Sequence, residues 1–515
     1  MTIPYQMRLD LLGRSANKNL LRGIRHGIER EGLRVTKAGT LSSASHPESL
    51  GKALMHPYIT TDFSEALLEY ITPVYCDVTD ALSFLEELHR FTASHLDNEM
   101  LWAGSMPCEL PKEDCIPVAY FGTSNIGRMK SIYRTGLSYR YGKAMQTIAG
   151  LHYNFSLPDD FWQLMDVDRS EGYMALIRNF RRYSWLLMYL FGASPAVSTS
   201  FFAGDRGRSA GLEHFSEDTL YLPHATSLRM SDMGYTNNAQ SSLNVCYDTL
   251  DGYVKSLCEA IRTPYKPYQT IGVKVNGQYR QLNDNLLQIE NEYYSTIRPK
   301  RIARRGEKPL TALSRHGIEY IEVRCLDINP FESQGINRHD ADFIDIFLLY
   351  CGIVESPLIA LEESQQITAN FNATVAEGRR PGLSLQKLAS VTTLSDWGQE
   401  LVDSMVPIAG LMDALSGSER YTFSLRRQRE KLADPEKTPS ARLLSAMTAS
   451  RVGYTSLIQA LSAKHHNALM SQPLNKERQN YFIELADGSR ADQKVMEARD
   501  TLSFDAFLAA YQQAE

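Results

Sequence analysis

Residues 27 to 35 read GIEREGLRV, and this stretch constrains the fold more than any other in the chain. In a β-strand successive side chains alternate between faces. Gly27, Glu29, Glu31, Leu33 and Val35 then share one face, and Ile28, Arg30, Gly32 and Arg34 share the other. Two carboxylates on one face repel each other unless solvent or a cation lies between them. The stretch is therefore either a solvated edge strand or a strand that faces a site for a hard cation.

Other segments repeat the theme. LLEYIT (67–72) reads as a short strand interrupted by Glu69, with Asp62 just ahead of it in TTDFSEALLEY. GLHYNFSLP (150–158) alternates, with Leu151, Tyr153, Phe155 and Leu157 on one face and His152, Asn154 and Ser156 on the other. GIEYIEVRCLDINP (317–330) places Ile318, Tyr320, Glu322 and Arg324 together, opposite Glu319, Ile321, Val323 and Cys325. Helical spacing appears at 80–100, 171–191 and 250–262, and dominates from about 338 in the stretches 340–361, 395–416 and 441–466. RTGLSYRYGK (134–143), SLRMSDMGYTN (227–237) and TIRPKR (296–301) read as loops that mix Arg or Lys with Tyr. Without a regular βαβ alternation, linker or repeat, the expected class is α+β around an antiparallel or mixed sheet, with a helical C-terminal third.

Composition narrows the function. A net charge of −6 gives no electrostatic reason to bind nucleic acid or an anionic membrane. The most apolar stretch, SWLLMYLFGASPAV (184–197), is too short to span a bilayer. The N-terminal stretch has charges where a secretory signal needs an apolar run. Seven dispersed cysteines, none in C-x-x-C, suggest neither a disulfide framework nor a zinc knuckle, and Cys108 reads as a buried bystander. The expectation is a cytoplasmic protein. No P-loop, G-x-G-x-x-G, H-E-x-x-H or G-x-S-x-G occurs, so neither a P-loop nor a serine elbow is available.

One sheet with its apolar face on the core and its polar face lining a cavity would gather Glu29, Glu31, Glu69, His152, Glu322 and Arg324. Several carboxylates in one cavity call for a divalent cation, and oxygen donors suit Mg²⁺ or Mn²⁺. Acids that hold such a cation, with arginines nearby, are equipment for phosphoryl transfer. Metal-assisted phosphoryl transfer, a metal-dependent phosphoester hydrolase and an inert binding scaffold all remain open on these residues alone.

The stretches GIEREGLRV, ITTDFSEALLEYITP, FGTSNIGRMKSIYRTGL, MQTIAGLHYNFSLP, YLFGASPAV, ATSLRMSDMGYTN, LQIENEYYSTIRPKR and GIEYIEVRCLDINPF together resemble the bacterial glutamate–cysteine ligase (γ-glutamylcysteine synthetase) family of the proteobacterial type, over roughly residues 20–335. The resemblance implies a glutamine-synthetase-like fold, a curved and mainly antiparallel sheet forming a funnel and packed with helices. It implies a single catalytic unit over 1–515, with the sheet-containing core in 1–335 and a mainly helical portion in 336–515. The implied reaction joins the L-glutamate γ-carboxyl to the L-cysteine amine through a γ-glutamyl phosphate, giving γ-glutamylcysteine, ADP and phosphate, the first step of glutathione synthesis.

Carried over residue by residue, the resemblance makes Glu29, Glu31, Asp62, Glu69, His152 and Glu322 the surroundings of Mg²⁺ (Mn²⁺ as the alternative). Glu322 and Arg324 become catalytic, Arg324 neutralising the phosphate in transfer. Tyr133, Arg229 and Tyr235 receive cysteine, with Phe63, Leu137 and Gln146 near its side chain. Arg134 is the candidate for the glutamate carboxylate, and Arg298 and Lys300 for the phosphates of ATP. Ala149 stands where the family often has Ser. The implied partners are L-glutamate, L-cysteine and ATP, with glutathione as feedback inhibitor of a monomer. A sister ligase with a different amine acceptor would share all but the acceptor pocket.

Overall fold

GIEREGLRV lies at the centre of a sheet, not at its edge. The computed structural model describes residues 4–204, 206–234, 238–241, 243–304 and 307–513. Seven strands form the main sheet: β1 (Arg25–Thr36), β2 (Ile59–Thr61), β3 (Leu67–Ile71), β4 (Glu99–Leu101), β5 (Leu151–Ser156), β6 (Ile297–Lys300) and β7 (Tyr320–Leu326). Their order is β6-β7-β5-β1-β3-β2, with β4 on the end of β1, and every pairing is antiparallel. The solvated-edge reading of β1 therefore falls, because β5 and β3 flank it on both sides.

Register decides which residues meet, since directly opposed residues share a face. Glu29 opposes His152, Glu31 opposes Glu69, and Glu322 opposes both Asn154 and Arg298. The alternate positions form the apolar back. Ile28 opposes Tyr153, which opposes Val323, which opposes Ile297, and all four are fully buried.

Helices cover that back. The helix Val78–Ala93 starts at Asp77, which accepts from the Thr79 N–H, and its buried stripe includes Val78, Ala81, Leu85 and Leu88. The helix Arg169–Phe191 takes in the first half of the apolar stretch 184–197, and among the described residues no helix is long and apolar enough to cross a membrane. The helix Arg338–Ile353 is buried all round from Asp340, so its three aspartates need partners. Asp345 accepts from the Tyr153 hydroxyl at 2.7 Å and contacts His26 Nε2 at 2.9 Å, which ties β5 and β1 to this helix. Asp342 lies 3.4 Å from Arg420, and Asp340 lies 3.8 Å from Lys431.

The C-terminal third is helical as expected, apart from a hairpin of Ser384–Lys387 with Ser390–Thr393. The stretch 441–466 is split into Pro439–Ser450 and Tyr454–Ser471, because Arg451 takes a left-handed conformation (φ 55°) at the first helix's end. Two segments read as loops are regular. Residues 134–141 belong to the helix Asn125–Tyr141, capped by Ser124 ten residues upstream of that stretch. Residues 297–300 are β6, an edge strand whose Pro299 is tolerated there despite its missing N–H.

Candidate active site

The polar face of the sheet gathers the acids. Glu29 Oε2 lies 3.0 Å from His152 Nδ1, and Glu29 Oε1 accepts from the Asn154 amide at 2.9 Å. Glu31 Oε2 accepts the Gly150 N–H at 2.6 Å, and Glu31 Oε1 lies 3.8 Å from His152 Nε2. Glu322 Oε1 lies 3.2 Å from Arg324, 3.5 Å from Lys300 and 3.9 Å from His152 Nδ1. Arg324 shares the Glu322 face by strand alternation, next to a bulge in β7 where the pairing with β5 slips by one residue between Val323 and Leu326.

The charges are unevenly shared. Burial pushes the Glu69 carboxyl well above the usual carboxylate range, reinforced by Asp62, Glu29 and Glu31. Burial also raises Glu31, against His152, Arg229 and Arg324. Burial would raise Glu322 too, but Lys300, Arg324, His152 and Arg298 outweigh it and hold that carboxyl well below the usual range. Glu29 is lowered: burial and Glu322 push it up, and the hydrogen bond and charge of His152, with Lys300, prevail.

This arrangement fits a hard divalent cation. One ligand atom each from Glu29, Glu69 and His152 lie within 4.8 Å of one another. Glu322 Oε2 and Asn154 Oδ1 are buried without a hydrogen-bond partner, and oxygen donors with one imidazole suit Mg²⁺ or Mn²⁺.

Beside the acids opens a cavity of about 300 Å³, lined by Arg324, Arg229, Gln240, Tyr293, Tyr294 and Phe371 among others. Arg229 is 2% exposed and donates to the carbonyls of Arg324 (2.9 Å) and Leu326 (3.2 Å). Its guanidinium crosses Gly150 so closely that a Cβ there would stand 2.0 Å from Nη2. Phe63, Leu137, Tyr133 and Tyr294 pack in one apolar cluster, and Gln146 donates to the Tyr294 hydroxyl at 3.0 Å.

The remaining candidates stand differently. Asp62 sits beside the acids, 3.5 Å from Arg134. Arg134 is turned towards Asp62: Nε donates to the Asp62 carbonyl and Nη1 to Lys130, and the ring of Phe121 lies 4.3 Å away. Arg298 is buried and donates to the carbonyls of Asn291 and Tyr293. Tyr235 lies outside the described residues. Cys108 is fully buried, as expected of a bystander.

Sequence reasoning missed three contributors. Asn154 was legible on the His152 face but carried no role until its contact with Glu29 was seen. Gly150 gave no signal. Asp327, at the end of the strongest strand pattern, is buried 3.6 Å from Arg229 and accepts from the Ala193 N–H and the hydroxyls of Ser194 and Ser227.

Comparison with known proteins gives the chain a family. A family model described as glutamate-cysteine ligase matches residues 9–374. A glutamate–cysteine ligase of Azotobacter vinelandii is 52% identical over 521 residues, covering 99% of this chain and 98% of the relative. One of Pseudomonas paraeruginosa is 52% identical over 515 residues, covering 98% and 97%. Among solved structures, a glutamate–cysteine ligase of Francisella tularensis in complex with AMP superposes with a TM-score of 0.90 at 37% identity, over 95% of this chain and 98% of that one.

Proposed function

This chain belongs to the glutamate–cysteine ligase family, and from that premise we propose that it joins the L-glutamate γ-carboxyl to the L-cysteine amine at the expense of ATP. The observation that carries the reading is the convergence of Glu29, Glu31, Glu69, His152, Glu322 and Arg324 on one face, beside a cavity that also holds Arg229.

A carboxylate is a poor acyl donor because its leaving group is oxide. In the proposed sequence a γ-carboxylate oxygen bonds to the γ-phosphorus of ATP and ADP departs. The cysteine nitrogen then bonds to the acyl carbon, the C–O bond to phosphate breaks, and the amine loses a proton. Glu29, Glu31, Glu69, His152 and Glu322, with Asp62 beside them, would hold Mg²⁺ or Mn²⁺, which when bound offsets the repulsion between carboxylate and polyphosphate. Arg324, anchored on Glu322 and directed at the cavity, neutralises charge on the phosphoryl group in flight. Arg229 receives the cysteine carboxylate through its guanidinium, held in orientation by Asp327 and two carbonyls. Tyr133 and Tyr235 are proposed to receive the cysteine moiety together with Arg229, with Phe63, Leu137 and Gln146 near its side chain.

Two assignments shift with the geometry. Arg134 holds the Asp62 loop rather than the glutamate carboxylate, because its donors face Asp62 and Lys130. Arg298 fixes the turn at 291–293, which leaves Lys300 as the phosphate contact. The reading also takes the sheet as a funnel of the glutamine-synthetase kind, residues 1–515 as one monomeric catalytic unit in the cytoplasm, and glutathione as its feedback inhibitor.

The test is phosphate release with ATP and Mg²⁺, omitting glutamate and then cysteine. Release that requires glutamate supports the ligase, and release without it reassigns the site to phosphoester hydrolysis. Titrating glutathione into the complete assay checks the inhibition.

A further inference from the structure

The opposite face of β1 holds a buried guanidinium that no carboxylate touches. Arg30 alternates away from Glu29 and Glu31 and is 2% exposed. Its Nη2 donates to the Trp102 carbonyl at 3.2 Å, while Nε and Nη1 have no hydrogen-bond partner. The strand makes room for the guanidinium, since a Cβ on Gly32 would stand 2.0 Å from Nη1. A cavity of about 20 Å³ meets it, with Arg30, His89, Ser333, Ser462, His465 and His466 as its polar lining and alkyl side chains for the rest. None of the lining residues is an acid. His89 is fully buried, and neither of its ring nitrogens has a partner.

A cavity of this size takes one water-sized occupant. A water would satisfy donors but add no charge on this face, where Glu31 acts on the guanidinium only from the far side of the strand, and a buried charge without a contacting counter-ion is among the costliest features of an interior. The nearest acid in sequence on either side, Glu29 or Glu31, points to the other face of the sheet. Sulfate and phosphate are too large. We propose that this cavity is a binding site for a single small monovalent anion of halide size, which is chloride in ordinary solution. The guanidinium supplies the charge, the unpartnered N–H groups supply the donors, and the alkyl wall suits a weakly hydrated ion. The anion then joins β1 to the helix Val78–Ala93 through His89, against the helix Tyr454–Ser471, whose Ser462, His465 and His466 line the cavity. The site lies behind the acidic cluster and does not depend on how that cluster is read.

The experiment uses the full chain. Crystals grown in sodium bromide are measured at the bromine edge, and thermal unfolding is followed in 200 mM chloride and in 200 mM gluconate, which is too large to enter. The expected result is an anomalous peak within about 3.3 Å of Arg30 Nε or Nη1. Chloride at ten times its dissociation constant should also favour the folded state roughly tenfold, a melting-temperature rise of about 1 °C for a chain of this size. Arg30→Gln should abolish that dependence; if it does not fold, His89→Phe, which fills the cavity, takes its place. No peak in the cavity overturns the proposal. So does a peak with halide-indifferent unfolding, which marks an adventitious ion only.

Discussion

Glu69→Gln separates what the acidic cluster costs from what it does. One Glu69 carboxylate oxygen lies within 4.8 Å of ligand atoms on Glu29 and His152, and Glu31 and Asp62 add further like charge. Two unit charges at 4.8 Å repel by about 3.5 kcal/mol at an effective dielectric constant near 20. Burial and those neighbours hold the Glu69 carboxyl well above the usual range, so proton uptake relieves part of this. The sign follows from linkage. A carboxyl raised on folding supports the fold fully while protonated in both states, and that support is lost as pH rises through its folded value. The metal-free wild type should therefore lose stability towards pH 8, and Glu69→Gln should lose less. A net gain of about 1–3 kcal/mol is expected for the variant at pH 8 in EDTA. With about 2.1 cal/mol/K of unfolding entropy per residue over 515 residues, that is a rise of about 1–3 °C in Tm. If Glu69 holds the cation as proposed, Mg²⁺ or Mn²⁺ should stabilise the wild type more than the variant, and the metal concentration for half-maximal ligation should rise by at least about 10–100-fold. Differential scanning calorimetry in EDTA and in Mg²⁺, with a metal titration of activity, reads all of these. A variant less stable than wild type in EDTA at pH 8, or one stabilised by metal as strongly as wild type, would refute the reasoning.

Three further outcomes are expected. Arg324→Ala should lower kcat by about 10²–10³-fold and change the KM for ATP by less than about threefold in steady-state assays, whereas the reverse split reassigns Arg324 to ground-state binding. Gly150→Ala places a methyl 2.0 Å from Arg229 Nη2 and 2.7 Å from Cζ, so calorimetry should show a loss of about 1–3 kcal/mol and kinetics a raised KM for cysteine ahead of that for ATP. His26 is pulled down by burial but held above its ordinary value by the charge and hydrogen bond of Asp345; that stabilisation is full below about pH 6.5 and fades as pH rises through the folded value, so Asp345→Asn should flatten this part of the stability–pH profile, and an unchanged profile would remove the pair from the account.

The polar face was legible because strand alternation is a strict rule. Once 27–35, 67–72, 150–158 and 317–330 are strands, Glu29, Glu69, His152 and Glu322 can share a surface in few ways, and the observed register brings them together. Register was not legible, because nothing local says that Glu31 opposes Glu69 rather than a neighbour two residues away. β6 was misread because Pro299 breaks its pattern, a break that only an edge position excuses. Arg134 is hard to place from sequence for a related reason. A guanidinium in a helical segment signals charge, but its partner is a backbone carbonyl 72 residues away, at Asp62. Asp327 shows the general limit. Its carboxylate accepts from Ala193, Ser194 and Ser227, three residues from two distant segments that no spacing connects. Sequence periodicity therefore names the residues that can face a substrate, whereas the contacts that hold them in place are long-range and become visible only when the chain is folded.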